Sequence, residues 1–137
     1  MNVSIRYYTR SGNTKKLADA MSEALNIEAA DVSVPLKEKA DILFLGCSYY
    51  AFDVDEAVKN FIVNHKENIG KIVCFGTSAM MKSMKKPVSK IANTVEVLVA
   101  DEEFHCRGRF GKMHKNRPDA EDLKNVAEFA KKVVQSY

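Results

Sequence analysis

Two short runs without a polar side chain, Ile42-Leu43-Phe44-Leu45 closed by Gly46 and Ile72-Val73-Cys74-Phe75 closed by Gly76, constrain this chain more than any other feature. A strand with one face in water alternates apolar and polar residues, so a strand without alternation must be covered on both faces. The segments around these runs have helical spacing. Leu17, Met21 and Leu25 recur every four residues, with Ala18, Ala20 and Ala24 beside them. Residues 53–65 place Ala57, Val58, Phe61 and Ile62 on one side, and residues 119–134 turn Leu123, Val126, Ala127, Ala130, Val133 and Val134 inward. Residues 84–91 read as a poorer helix, because Pro87 is tolerated only in a first turn. Strands are further expected over residues 2–8, 27–32 and 95–99, and residues 36–40, after the break at Pro35, could hold a helical turn. Strand and helix thus alternate about five times, which implies an α/β fold: three layers, a doubly wound five-stranded parallel sheet with helices on both faces.

The first strand runs into Thr9-Arg10-Ser11-Gly12-Asn13-Thr14, and a helix follows. The first turn of a helix has backbone N–H groups without intrahelical partners, and its dipole adds about half a positive charge there. A strand, a hydroxyl-rich turn and a helix start together make a cradle for a phosphate. Gly12 lets the backbone approach, and Thr9, Ser11, Asn13 and Thr14 offer side-chain donors. Arg10 either adds a charge-assisted contact or points to solvent. Neither the Gly-x-x-x-x-Gly-Lys nor the Gly-x-Gly-x-x-Gly pattern occurs, which argues against nucleoside triphosphate and dinucleotide binding.

This loop resembles the phosphate loop of the flavodoxin family, whose pattern Thr/Ser-x-Thr/Ser-Gly-x-Thr is met by Thr9, Ser11, Gly12 and Thr14. The resemblance covers essentially the whole chain. It includes a Tyr-Ala pair after the third strand, Gly-Thr-Ser after the fourth, and Phe104-His105-Cys106-Arg107-Gly108 before the last helix. The chain is similar to short-chain bacterial flavodoxin-like proteins, and residues 1–137 read as a single domain of that kind. The resemblance implies strand order 2-1-3-4-5 with non-covalent FMN at the switch point between strands one and three. It also implies a monomeric electron carrier, shuttling between a reductase and an acceptor such as a ferredoxin-like protein or an acceptor enzyme. The flavin would supply the chemistry, with no side chain needed as acid, base or nucleophile. An FMN-dependent NAD(P)H:quinone-type reductase on the same fold, and a cofactor-free binding module, are the alternatives.

A flavin ring needs flat apolar cover on its faces and backbone groups along its polar edge. The loop after the third strand, Ser48-Tyr49-Tyr50-Ala51-Phe52, has three aromatics; either Tyr49 or Tyr50 stacks on the ring, or Phe52 and one Tyr cover the sheet edge. After the fourth strand, Gly76 and then Thr77, Ser78 and Ala79 would admit the ring edge, with Met80 against the dimethylbenzene end or serving as filler. Two departures from the family stand out. No Gly lies between Ser48 and Asp53, so turning a peptide there toward the flavin would cost about 1–2 kcal/mol, and the one-electron reduced state is expected to be less stabilised. The chain is also basic, with a net charge of +3, whereas flavodoxins are acidic.

That charge is too small to argue nucleic-acid binding. It gathers in a loop after the fifth strand, where Arg107, Arg109, Lys112, His114, Lys115 and Arg117 would attract an anionic substrate or an acidic redox partner, or simply be solvated. Three cysteines with no Cys-x-x-Cys pair argue against disulfides and metal ligation, and a reducing cytoplasm is expected. No apolar stretch nears the roughly 18 residues that span a bilayer, so no membrane association is expected.

Overall fold

In the computed structural model the described residues are 1–48, 53–79, 83–110, 112 and 114–137. Five strands, β1 (Val3–Tyr7), β2 (Ala29–Asp31), β3 (Ile42–Ser48), β4 (Lys71–Ser78) and β5 (Leu98–Arg107), form one sheet. Its order is β2-β1-β3-β4-β5, and every pairing is parallel. Four helices connect the strands: α1 (Asn13–Leu25), α2 (Glu56–Asn64), α3 (Lys85–Thr94) and α4 (Ala120–Gln135). None of them is long and apolar enough to cross a membrane.

The apolar runs lie where non-alternating strands must. All of β3 is buried, and all of β4 after Lys71. Successive side chains feed opposite layers. Ile5, Phe44, Val73 and Phe75 pack with Leu17 and Met21 of α1 and Val126, Ala130 and Val133 of α4. Leu43, Leu45, Cys47 and Cys74 pack with Val58 and Ile62 of α2 and Met84 and Val88 beside and within α3. Pro87 sits in the first turn of α3, the position that costs no hydrogen bond.

The structure corrects four boundaries. Residues 36–40 form no helical turn. The second helix starts at Glu56, with Asp55 as its N-cap accepting from the Ala57 N–H at 2.9 Å. Strand β4 does not close at Gly76 but continues through Thr77 and Ser78, paired with Cys106 and Arg107. The fifth strand, expected over residues 95–99, runs instead from Leu98 to Arg107. β5 is an edge strand, where the exposed Asp101 and Glu102 face water and Glu103 accepts from Ser83 Oγ. The carboxyl ends of β1, β3, β4 and β5 therefore open on one rim of the sheet.

Candidate functional site

The rim has a cleft of about 330 Å³ lined by Arg10, Ser11, Asn13, Ser48, Thr77, Ser78, Ala79, Gly108, Arg109 and Phe110. Its centre is the reversal of strand order between β1 and β3, where the connections leave in opposite directions and a crevice must form.

The segment after β1 turns sharply at Gly12, whose φ of 89° is one that an L side chain rarely adopts. Thr9 locks the turn, its Oγ1 accepting from the Gly12 N–H at 2.9 Å. Helix α1 then begins without a side-chain cap, unlike α2, capped by Asp55, and α4, capped by Asp119. Its first-turn N–H groups and the exposed Ser11 thus face the cleft with the positive end of the dipole behind them.

Behind this turn, three buried hydroxyls meet, Thr14 from the first turn of α1, Ser48 from the end of β3 and Thr77 from the end of β4. Thr14 Oγ1 lies 2.8 Å from Ser48 Oγ and 3.3 Å from Thr77 Oγ1, and Ser48 Oγ lies 3.2 Å from Thr77 Oγ1. Each hydroxyl has one proton, so a closed ring uses all three donors internally. An anion reaching this ring would have to turn one O–H outward, and the 3.3 Å contact is the weakest to give up. Asn13 is likewise engaged: its Nδ2 donates to the Arg109 carbonyl at 3.0 Å. In this structure Asn13 and Thr14 are thus buried and bonded within the chain, Thr9 Oγ1 accepts and keeps its own proton, and Ser11 is exposed.

Arg10 neither reaches into the turn nor points freely to solvent. Its Nη2 donates to Asp55 Oδ2 at 2.9 Å, which draws it toward α2. The Ala57 N–H first, and Arg10 second, hold the Asp55 carboxyl below its usual range. Ser48 ends β3 and Thr77 and Ser78 end β4, all three buried, with Ala79 just beyond. Tyr49, Tyr50, Ala51 and Phe52, and Met80, lie outside the described residues.

Gly108, Arg109 and Phe110 complete the wall and were not singled out as site residues from the sequence. They reach the cleft because β5 extends to Arg107. Gly108 is required there: a Cβ on it would stand 2.9 Å from both Asn13 Nδ2 and Thr77 Cβ. The available signal was the Cys-Arg-Gly segment together with the length of β4, whose Ser78 needs a β5 partner. The basic segment that follows is folded onto the cleft. Gly108 N donates to Ser78 O at 3.3 Å, Arg109 N to Arg117 O at 3.0 Å and Arg117 N to His114 O at 3.0 Å. His114 Nε2 lies 3.2 Å from Ala79 O. Arg117 donates from Nε and Nη2 to Asp122 at 2.6 and 2.7 Å.

Burial shifts four further groups near the rim, His105 and the three cysteines. Burial first, and the nearby Arg107 second, push His105 down to about 4, leaving it neutral. Burial pushes the Cys74 and Cys106 thiols up to about 12 and raises that of Cys47.

Against known proteins, residues 4–117 match the family model described as a flavodoxin domain. An uncharacterized protein of Methanocaldococcus jannaschii is 27% identical, the match covering 90% of this chain and 91% of that protein. A flavodoxin from the domain Archaea superposes with a TM-score of 0.80 at 15% identity, over 99% of this chain and 98% of its own. Oxidised Flavodoxin 2 from Bacillus cereus gives 0.71 at 17% identity, with both chains covered completely. Rubredoxin oxygen:oxidoreductase from Desulfovibrio gigas gives 0.74 at 12% identity, over 98% of this chain and 35% of that one. At such identities these solved structures share the fold.

Proposed function

This chain belongs to the flavodoxin domain family, and from that premise we propose that it binds FMN non-covalently in the rim cleft and carries electrons between a reductase and an acceptor protein. The observation that supports this best is the coincidence of the uncapped α1 N-terminus with the strand-order switch point, in a cleft whose volume lies in the range of cofactor sites. The donor set suits a phosphate: backbone N–H groups of the first helical turn, the Ser11 hydroxyl and the Thr9 hydroxyl. The absence of a Cβ at Gly108 keeps the wall open beside Asn13 and Thr77.

When bound, the flavin supplies the electron-carrying chemistry. The protein's residues hold and shield it. Thr9 and Gly12 fix the turn that aims the helix N–H groups. The Thr14–Ser48–Thr77 ring ties the start of α1 to the ends of β3 and β4, so the phosphate end and the flavin-ring end of the site keep a fixed separation. Thr77, Ser78 and Ala79 would wall the ring edge, and Tyr49, Tyr50, Ala51 and Phe52 belong to the segment that would cover a ring face.

Reconstitution tests the reading. Protein incubated with FMN and freed of excess should retain flavin absorbance at roughly one equivalent per chain, and riboflavin, which lacks the phosphate, should be retained far less. A protein that stays colourless, or that holds riboflavin as well as FMN, defeats it. Photoreduction of the same sample, followed by reoxidation with small quinones and NAD(P)H, separates a carrier from a self-sufficient reductase.

A further inference from the structure

The basic segment after β5 builds a second concavity beside the cleft. It has a volume of about 350 Å³ and is lined by Ser11, Asn13, Lys16, Arg109, Lys115 and Arg117, sharing Ser11, Asn13 and Arg109 with the cleft itself. No acidic residue occurs between Glu103 and Asp119. Within that span Arg107, Arg109, Lys112, Lys115 and Arg117 alone exceed the chain's net charge of +3, so the positive charge of this protein is local to this rim. Lys16, Lys112 and Lys115 are exposed, with no carboxylate partner among the described residues. In the middle of the cations stands Phe110, 67% exposed, on the lip of the cleft. An isolated large aromatic ringed by cations has the composition of an interface centre, where aromatics and arginine are enriched.

We infer that this face, from Lys16 across Phe110 to Lys115, docks an acidic electron-transfer protein, with Phe110 as the apolar anchor and the cations steering the approach. The inference rests on the carrier reading and names the chemistry of its partner. A free small anion suits the face less well. The cations extend past the concavity to Arg107 and Lys112, and a small ion would leave Phe110 without a role. The segment is also held ready: Asn13, Ser78, Ala79 and Asp122 all bond to it, so little ordering remains to be done on docking. Since Phe110 and Arg109 line the cleft, the partner would sit against its opening, which is where electron transfer needs it.

The test uses two probe proteins of opposite charge, an acidic plant-type ferredoxin and a basic cytochrome c. Binding to this chain is read by biolayer interferometry with and without FMN, and electron-transfer rates of the FMN-loaded, photoreduced protein are read by stopped flow. Steering of this kind changes association about tenfold or more between low and high salt. Binding and transfer with the ferredoxin should weaken by about tenfold as salt rises, while cytochrome c should show no such loss. Lys112→Glu with Lys115→Glu should abolish or reverse that order, and Phe110→Ala should weaken ferredoxin binding about fivefold at high salt. Equal salt dependence for both probes, or a double variant indistinguishable from wild type, overturns the docking face. So does displacement of the ferredoxin by micromolar inorganic phosphate, which would assign the concavity to a small anion. The binding measurement needs no flavin, so a colourless protein sinks the carrier reading by itself and leaves the docking face to be judged separately.

Discussion

Replacing Asp122 by Ala removes a carboxylate that three donors share. Arg117 donates to it through Nε at 2.6 Å and Nη2 at 2.7 Å, and the Asp119 N–H donates at 2.8 Å. The last bond is half of the capping box that starts α4, in which the Asp119 side chain accepts from Asp122 N. The Asp119 cap itself survives the substitution, and losing the reciprocal bond to the Asp119 N–H costs about 1 kcal/mol. Hydrogen bonds to a charged group are worth about 1.5–3 kcal/mol, and the lower end applies because the Arg117 side chain is 36% exposed and screened. The expected destabilisation is about 2–3 kcal/mol, or roughly 6–9 °C in Tm at this chain length. Asp122→Asn keeps an amide oxygen for the Asp119 N–H and Arg117 Nε but loses the charge and the acceptor for Arg117 Nη2, so about half of that loss is expected. Burial pushes the Asp122 carboxyl up, but Arg117 and the Asp119 N–H outweigh it and hold the group below its ordinary value of 3.8. A carboxyl depressed on folding contributes fully above its unfolded pKa, and that contribution is lost as pH falls through the folded one. Urea unfolding at pH 7 and at a series of acid pH values reads both effects. Wild type and Asp122→Asn should converge in acid. A loss under about 0.5 kcal/mol for Asp122→Ala, or a gap to Asp122→Asn that persists unchanged to the lowest pH, would refute the reasoning.

Three further outcomes are expected. Gly108→Ala puts a Cβ 2.9 Å from Asn13 Nδ2 and Thr77 Cβ, so a fluorescence titration should show FMN affinity falling about tenfold, alongside an overpacking loss of about 1–3 kcal/mol in stability; an unaltered Kd contradicts the cleft geometry. Cys47, Cys74 and Cys106 are buried and shifted away from thiolate, so Ellman's reagent at pH 8 should label none of them until the protein unfolds, and one fast-reacting thiol would contradict their placement. His105 is pushed from 6.5 to about 4, so the unfolded chain takes up its proton first. Stability should therefore fall as pH drops through that window, and His105→Gln should flatten the decline, whereas an unchanged slope would remove His105 as its cause.

The loops lining the cleft were legible in the sequence to unequal degrees. The turn at residues 9–14 announces itself because its determinants are local: Gly12 for a positive φ, hydroxyls for the turn, and a helix pattern directly after it. The roles of Asn13 and Thr14 were not legible, because their partners Arg109, Ser48 and Thr77 lie 34 to 96 residues away. Arg10 was left open between a phosphate contact and solvent, and its actual partner, Asp55, lies 45 residues away inside the segment expected to be helical.

What the sequence determined by itself is the layering and the position of the cleft. Unbroken apolar runs require cover on both faces, the alternation of strands with helices makes the sheet parallel, and a parallel doubly wound sheet opens where its strand order reverses. Only the tertiary structure decided the far wall. The local pattern ended the fifth strand at Val99, but β4 presents backbone groups through Ser78 and β5 pairs with them through Arg107. Buried backbone donors and acceptors demand partners whatever side chains the partner strand carries; on this edge Asp101 and Glu102 turn to water, while Glu103 turns inward to accept from Ser83. That pairing carries Gly108, Arg109 and Phe110 to the cleft and sets the cations beside it.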